Sequence, residues 1–287
     1  LGYRVAVTEP APPPQQFIWN EGVGQAWADN ADLIDAHLSV FGDRATAALS
    51  LQPGETVLDV GCGGGRTTLR LARQVGPTGR ALGIDISRPM LQAARDLAQV
   101  QGVVNAEFVE LDLQTERPSQ TADAAFSRFG VMFFEQPQVA FANLAASLRH
   151  GGRLVFVCWD AMERNPWMMV SREAAAEYLP VPPVPAEGPG PMAFANNDYV
   201  RSLLEGAGFS DVQFETFEAS PPLSGGNDLE RVATVMLSIS PMAVILKGVD
   251  RSMQLAIKEK IIDIVKPYLT SDGVRMPAVS WVVSARR

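Results

Sequence analysis

An acid and three glycines at alternate positions, Asp59, Gly61, Gly63 and Gly65, stand within the run Asp59-Val60-Gly61-Cys62-Gly63-Gly64-Gly65. The run follows a short β-branched stretch, Thr56–Val60, and precedes a helical pattern carrying Leu69, Leu71, Ala72 and Val75. Glycines between a strand and a helix allow left-handed backbone and let a ligand approach the main chain closely. In open parallel sheets the ligand crevice lies at the carboxyl ends of the strands. The chemistry on offer is therefore the holding of a nucleotide-like cofactor. A dinucleotide loop needs G-x-G-x-x-G. Counted from Gly61 the third glycine position falls on Arg66, and counted from Gly63 on Thr68, so that pattern fails in both frames.

Asp85 ends the next strand, 20 residues beyond Gly65, where a carboxylate can accept hydrogen bonds from both hydroxyls of a ribose. The acid-and-glycine run resembles the first motif of class I S-adenosylmethionine-dependent methyltransferases. The run Gly83-Ile84-Asp85-Ile86-Ser87-Arg88-Pro89-Met90-Leu91 resembles their second motif, and Leu148-Arg149-His150-Gly151-Gly152-Arg153-Leu154 resembles their approach to the fifth strand. The superfamily includes the ubiquinone/menaquinone-biosynthesis C-methyltransferases, and the resemblance covers roughly residues 16–217.

That resemblance implies S-adenosyl-L-methionine as cofactor, S-adenosyl-L-homocysteine as product and a small-molecule acceptor. It implies Gly61, Cys62 and Gly63 beneath the cofactor, Asp85 on the ribose, and Ile86 and Met90 against the adenine ring. Asp112, with Leu113 beside it, would meet the adenine amino group. Arg128, in Arg128-Phe129-Gly130-Val131, would meet the methionine part, and Trp19 would lie in a flap over the methyl donor.

Plainer readings stand beside these. Asp112 can open an ordinary turn, Met90 and Ile86 can be core, and Cys62 reads as a small packing residue before it reads as a nucleophile. Trp19, Asn20, Gly22 and Trp27 make either a helix start anchored by aromatics or the flap. Trp27, Phe133 and Trp167 are the candidates for an apolar acceptor pocket. His37 is the candidate general base, against its reading as a surface histidine. No Cys/His spacing suits a metal site.

A sulfonium methyl is already activated. Transfer is then an in-line displacement, and the protein's main task is to align nucleophile and methyl group. A base matters only if the nucleophile must lose a proton. The expected function is methyl transfer to a small, partly apolar metabolite; the alternative is a non-catalytic S-adenosylmethionine-binding sensor or scaffold.

The positioning elements follow from periodicity. Residues 17–49 read as helical with a break at Gly42, followed by a second helix, Arg44–Leu49. Strands are expected at Thr56–Val60, Ala81–Asp85, Ala106–Leu111, Ala124–Arg128, Arg153–Trp159, Val212–Phe217 and Ala278–Ser284. Helices are expected at Pro89–Gln101, Gln138–Arg149, Arg164–Tyr178 and Asp198–Gly206, the last capped by Asn197. The alternation predicts an α/β, Rossmann-like, doubly wound, mostly parallel seven-stranded sheet with N-terminal helices and a helical cap. Residues 1–16, with Ala11-Pro12-Pro13-Pro14, read as a flexible tail. Residues 17–287 read as one domain with cap segments near 161–191 and 227–269.

The 287 residues are 47% hydrophobic and 20% charged, a globular balance. A net charge of −8 argues against a nucleic-acid partner, which needs clustered Lys and Arg. No apolar run reaches membrane-spanning length, and two distant cysteines, Cys62 and Cys158, suit a reducing cytoplasmic setting. A homo-oligomer is compatible with all of this.

Overall fold

The computed structural model describes residues 13–182, 188–223, 226–240 and 242–287. The strands are β1 (Thr56–Val60), β2 (Arg80–Asp85), β3 (Ala106–Glu110), β4 (Ala122–Arg128), β5 (Leu148–Trp159) and β6 (Ser210–Ala219). A short hairpin of β7 (Leu269–Thr270) and β8 (Gly273–Val274) precedes β9 (Ala278–Arg286). Seven of them form one sheet in the order β3-β2-β1-β4-β5-β9-β6. β1 to β5 pair in parallel, and β9 is antiparallel to both of its neighbours. Chain order runs outward in one direction through β1, β2 and β3, and in the other through β4 and β5. The switch point therefore lies between β1 and β4, where such sheets open a crevice at their carboxyl ends.

The helices are α1 (Gln15–Phe17), α2 (Gly24–Asp29), α3 (Ala31–Leu49), α4 (Arg66–Val75), α5 (Arg88–Gln101), α6 (Pro137–Ala146), α7 (Val170–Ala176), α8 (Asn197–Gly206), α9 (Leu229–Ile239), α10 (Met242–Leu246) and α11 (Arg251–Val265). The central strands are covered on both faces, so β1 reads Val57, Leu58, Val60 and β4 reads Ala124, Ala125, Phe126, all buried. A second apolar cluster is separate from that core. It joins Val170 and Ala174 of α7, Val232 of α9, Ile257 and Ile261 of α11, and Val274 of β8. The helical segment between β6 and β9 thus packs with α7 around a second core.

Several local expectations change. Gly42 does not break α3, which runs unbroken to Leu49. A Cβ at Gly42 would stand 2.7 Å from Cδ of Arg128, so this glycine makes room for that side chain. The stretch expected as one helix from Arg164 to Tyr178 breaks into two 3₁₀ turns and α7. Pro166 begins the second turn, and buried Asn165 spends its side chain on the backbone. It donates to the carbonyls of Asp160 and Val279 and accepts from Val279 N–H at 2.9 Å. The cap of α8 is Asn196 and not Asn197; its side chain accepts from the N–H groups of Asp198 and Tyr199. Helix α6 stops at Ala146, and β5 begins at Leu148, because Leu148 already pairs with Ala122. Residues 1–12 of the expected tail lie outside the described residues. Gln15 and Gln16, also assigned to the tail, belong to α1, with Gln15 buried.

Candidate cofactor and acceptor site

The glycine run lies at the carboxyl end of β1, at the switch point. Gly61, Gly63 and Gly65 have φ of +68°, +52° and +77°. Each is also crowded. A Cβ on Gly61 would sit 2.8 Å from Cα of Gly130, one on Gly63 2.8 Å from Cε of Met90, and one on Gly65 2.7 Å from Cβ of Ala94. The N–H groups of Gly61 and Cys62 donate to the carbonyl of Ile84, which ties the loop to β2.

Asp59 lies under the loop, 1% exposed, and accepts from Thr68 Oγ1 at 2.6 Å. Burial pushes its carboxyl up to about 6, against the opposing pull of Thr68 and Arg128. Asp85 ends β2. One oxygen accepts from Gly63 N–H at 2.8 Å and the other from Ser87 N–H at 2.9 Å. Burial raises its pKa, while these backbone donors lower it. An ionised carboxylate offers about four lone-pair sites, so capacity remains for hydroxyl donors. The Cys62 thiol is buried, with its pKa raised by burial and by Asp85 and Asp59. A Cβ on Gly83 would stand 2.9 Å from Cys62 Sγ. The sulfur fills space over β2, the packing role and not a nucleophile's.

The N-terminal segment closes over this floor. Ser87 Oγ donates to the carbonyl of Trp19 at 2.8 Å, Asn20 Nδ2 donates to the carbonyl of Ile86, and Asn20 Oδ1 accepts from Arg88 N–H. Asn20 thus caps α5 from another part of the chain. Trp19 packs edge-on against Trp27 at 5.4 Å and Phe133 at 5.3 Å. Trp27 Nε1 donates to the carbonyl of Ile239 at 3.2 Å, linking this segment to α9.

A cavity of about 70 Å³ remains between roof and floor. It is lined by Trp27, Gly61, Cys62, Gly63, Met90 and Arg128 among the expected residues. Its wall also includes Ala31, Ile34, Asp35, Leu38 and Arg66. Arg128 donates to Asp35 Oδ1 at 2.6 Å, and Asp35 Oδ2 accepts from Arg70 at 2.5 Å. Asp35 was missed in the sequence, where it is one more acid on a helix; its only signal is that it shares a face with Ala31 and Leu38. A larger shallow depression of about 350 Å³, around Arg117–Thr121 and Ser147, lies at the opposite, amino ends of β4 and β5 and so away from this crevice.

Other expected residues stand outside the cavity lining. Asp112 forms a turn, its Oδ1 accepting from Gln114 N–H at 2.9 Å, and Leu113 is buried beside it. Ile86 holds Asn20 through its carbonyl. Trp167 joins a second aromatic group: its ring meets His37 at 4.7 Å and Trp159 at 5.4 Å, and Trp159 stacks on Phe129 at 3.9 Å. Phe129 follows Arg128 with φ of +59°, a strained backbone for a non-glycine residue at the crevice edge. His37 is no surface histidine: it is 5% exposed, and burial lowers its pKa to about 4. Among the described residues no three His, Cys, Asp or Glu side chains are grouped to hold a metal ion, and no helix is long and apolar enough to cross a membrane.

The donors and acceptors fit an adenosyl cofactor: a close-approach glycine floor, a carboxylate held at the end of β2, and Met90 beside Gly63. Residues 57–152 match the family model described as a methyltransferase domain. Aklanonic acid methyltransferase DauC of Streptomyces sp. (strain C5) is 36% identical over 104 residues, covering 36% of this chain and 47% of that protein. Ubiquinone/menaquinone biosynthesis C-methyltransferase UbiE of Burkholderia orbicola is 28% identical over 152 residues, covering 50% of this chain and 63% of that protein. The matches thus span about half to somewhat under two thirds of these relatives' length. A crystal structure of a putative methyltransferase from Bacillus halodurans C-125 shares the fold, with a TM-score of 0.54 at 18% identity, covering 85% of this chain and 97% of that one. Sheet order, glycine floor and the match over residues 57–152 together support a class I S-adenosylmethionine-dependent methyltransferase domain in this chain.

Proposed function

We propose that this protein transfers a methyl group from S-adenosylmethionine to a small, partly apolar acceptor. The observation that carries the reading is the pairing of Asp85 with Gly63 N–H across a floor of three left-handed glycines at the switch point. In this reading Asp85 takes the ribose hydroxyls, Met90 and Ile86 flank the adenine, and Asp112 and Leu113 lie at its far edge. Arg128 faces the methionine part. The bound cofactor supplies the activated methyl group. The chain's own work is to bind it, to exclude water beneath Trp19 and Trp27, and to align an acceptor. The names of both curated relatives concern small molecules, and the aromatic lining suits an apolar one.

The cavity of about 70 Å³ is well below the roughly 300–1,000 Å³ of small-molecule sites. Trp27 lines this cavity and so reports its filling. Titration with S-adenosylhomocysteine should change tryptophan fluorescence saturably, and labelled methyl should then pass to an apolar acceptor in a screen. Cofactor binding with no transfer to any acceptor would favour a sensor or scaffold instead.

A further inference from the structure

Arg66 and Thr67 open α4 and line the cavity beside Gly63, Gly64 and Arg128. The helix starts at Gly65, which has no side chain to cap it, so its positive end lies in the cavity wall unneutralised. Thr67 is 5% exposed, and its hydroxyl has no hydrogen-bond partner among the described residues. Arg66 sends Nη2 to Asp32, whose side chain is 81% exposed, while its Nε is buried without a partner. Buried polar groups are paired in the great majority of cases. The Nε of Arg66 carries a hydrogen and can only donate, and a hydroxyl can donate as well. Two donors side by side at a helix N-terminus call for one acceptor, and for a negative one.

The other guanidinium of the wall is already spent. Arg128 donates to one oxygen of Asp35, the second oxygen accepts from Arg70, and Arg128 and Asp35 are both largely buried. Asp32, in contrast, stands in water and holds Arg66 weakly. Burial, then the neighbouring Arg70 and Arg128, lower the pKa of Arg66, so an anion at this point offsets a crowd of positive charge. A ketone or an ether would satisfy the donors and leave that charge unanswered. Resting on the methyltransferase reading, we propose that Arg66 Nε and the Thr67 hydroxyl hold the carboxylate of the cofactor's amino-acid arm. Arg128 lies beside that arm, but its commitment to Asp35 leaves the carboxylate to Arg66 and Thr67.

The test titrates the full chain with S-adenosylhomocysteine and with its decarboxylated analogue, which keeps the adenosine, the sulfur and the ammonium and lacks only the carboxylate. The unaltered protein should bind the carboxylate form at least about tenfold more tightly, equivalent to about 1.4 kcal/mol. Arg66→Gln should cut that preference below about threefold. Thr67→Val, which keeps the shape of the side chain and removes its hydroxyl, should lower it by about threefold. Both variants should bind the decarboxylated analogue within about twofold of the unaltered protein, which a general loosening of the loop would not allow. Equal binding of the two ligands by the unaltered protein, a preference that survives Arg66→Gln, or an equal loss of both ligands in that variant overturns the assignment. Failure of the unaltered protein to bind either ligand overturns the methyltransferase reading, and the assignment with it.

Discussion

At the glycine floor two side-chain bonds join near neighbours in the chain: Thr68 bonds Asp59 nine residues away, and Gly63 bonds Asp85 22 residues away. On the acceptor side the partners are distant. Trp27 and Ile239 are 212 residues apart, and His37 and Pro222 are 185 apart. That side also leaves ring nitrogens of His37 and Trp167 unpaired. The glycine floor rests mainly on near neighbours in the sequence, although Nε of Arg66 in the cavity wall is also buried without a partner among the described residues. The proposed acceptor side is joined by contacts between segments remote in the sequence.

The largest effect is expected where the floor has no slack. Gly65→Val puts a branched side chain on left-handed backbone, 2.7 Å from Ala94 Cβ and 2.8 Å from Phe108. Chemical denaturation should show a loss of about 3 kcal/mol or more. A soluble variant of unchanged midpoint would show that the floor is not close-packed.

The two regions also oppose each other in pH. His37 is held below its ordinary value, at about 4, so the unfolded chain binds its proton first as pH falls. Stability from this group is present above about 6.5 and is lost between about 6.5 and 4. Asp59 is held above its ordinary value, at about 6, so its burial destabilises fully above about 6, and that penalty is relieved as pH falls toward about 4. Each is worth on the order of 3 kcal/mol at most, and they nearly cancel. His37→Phe should therefore gain stability relative to the unaltered protein as pH falls from 6.5 to 4, and Asp59→Asn should lose it. Thermal melts at several pH values check both; parallel profiles would contradict the two burial effects.

Asp85→Ala removes charge-assisted bonds of roughly 1.5–3 kcal/mol, and S-adenosylhomocysteine should bind about tenfold or more weakly. The smallest effect belongs to the roof. Trp27→Phe keeps an aromatic ring and leaves the Ile239 carbonyl without its donor. Stability should fall by about 1 kcal/mol, while the fluorescence response to cofactor diminishes. A loss as large as that of Gly65→Val would erase the contrast between the two regions.

The sequence showed the same divide. The β1–loop–α4 unit, Asp85 and the parallel alternation were legible because each rests on contacts between neighbours and on backbone chemistry special to glycine. Asp35 and Gly42 were not. Their roles depend on Arg128, 93 residues from Asp35, lying across α3. The helix expected at Arg164–Tyr178 failed for a related reason. Asn165 looks like an ordinary helix residue until Val279, 114 residues on, bonds its side chain with both its carbonyl and its N–H. Burial of His37 was hidden too, because Pro222 and Trp167 reach it only in the folded chain.

The central claim is that the glycine floor with Asp85 is an S-adenosylmethionine site, and calorimetric titration of the full chain with S-adenosylhomocysteine and with NAD tests it most directly. The expected result is saturable binding of S-adenosylhomocysteine at one site per chain and no saturable binding of NAD, as Arg66 stands where a dinucleotide loop needs its third glycine. Saturable binding of NAD with none of S-adenosylhomocysteine would contradict it.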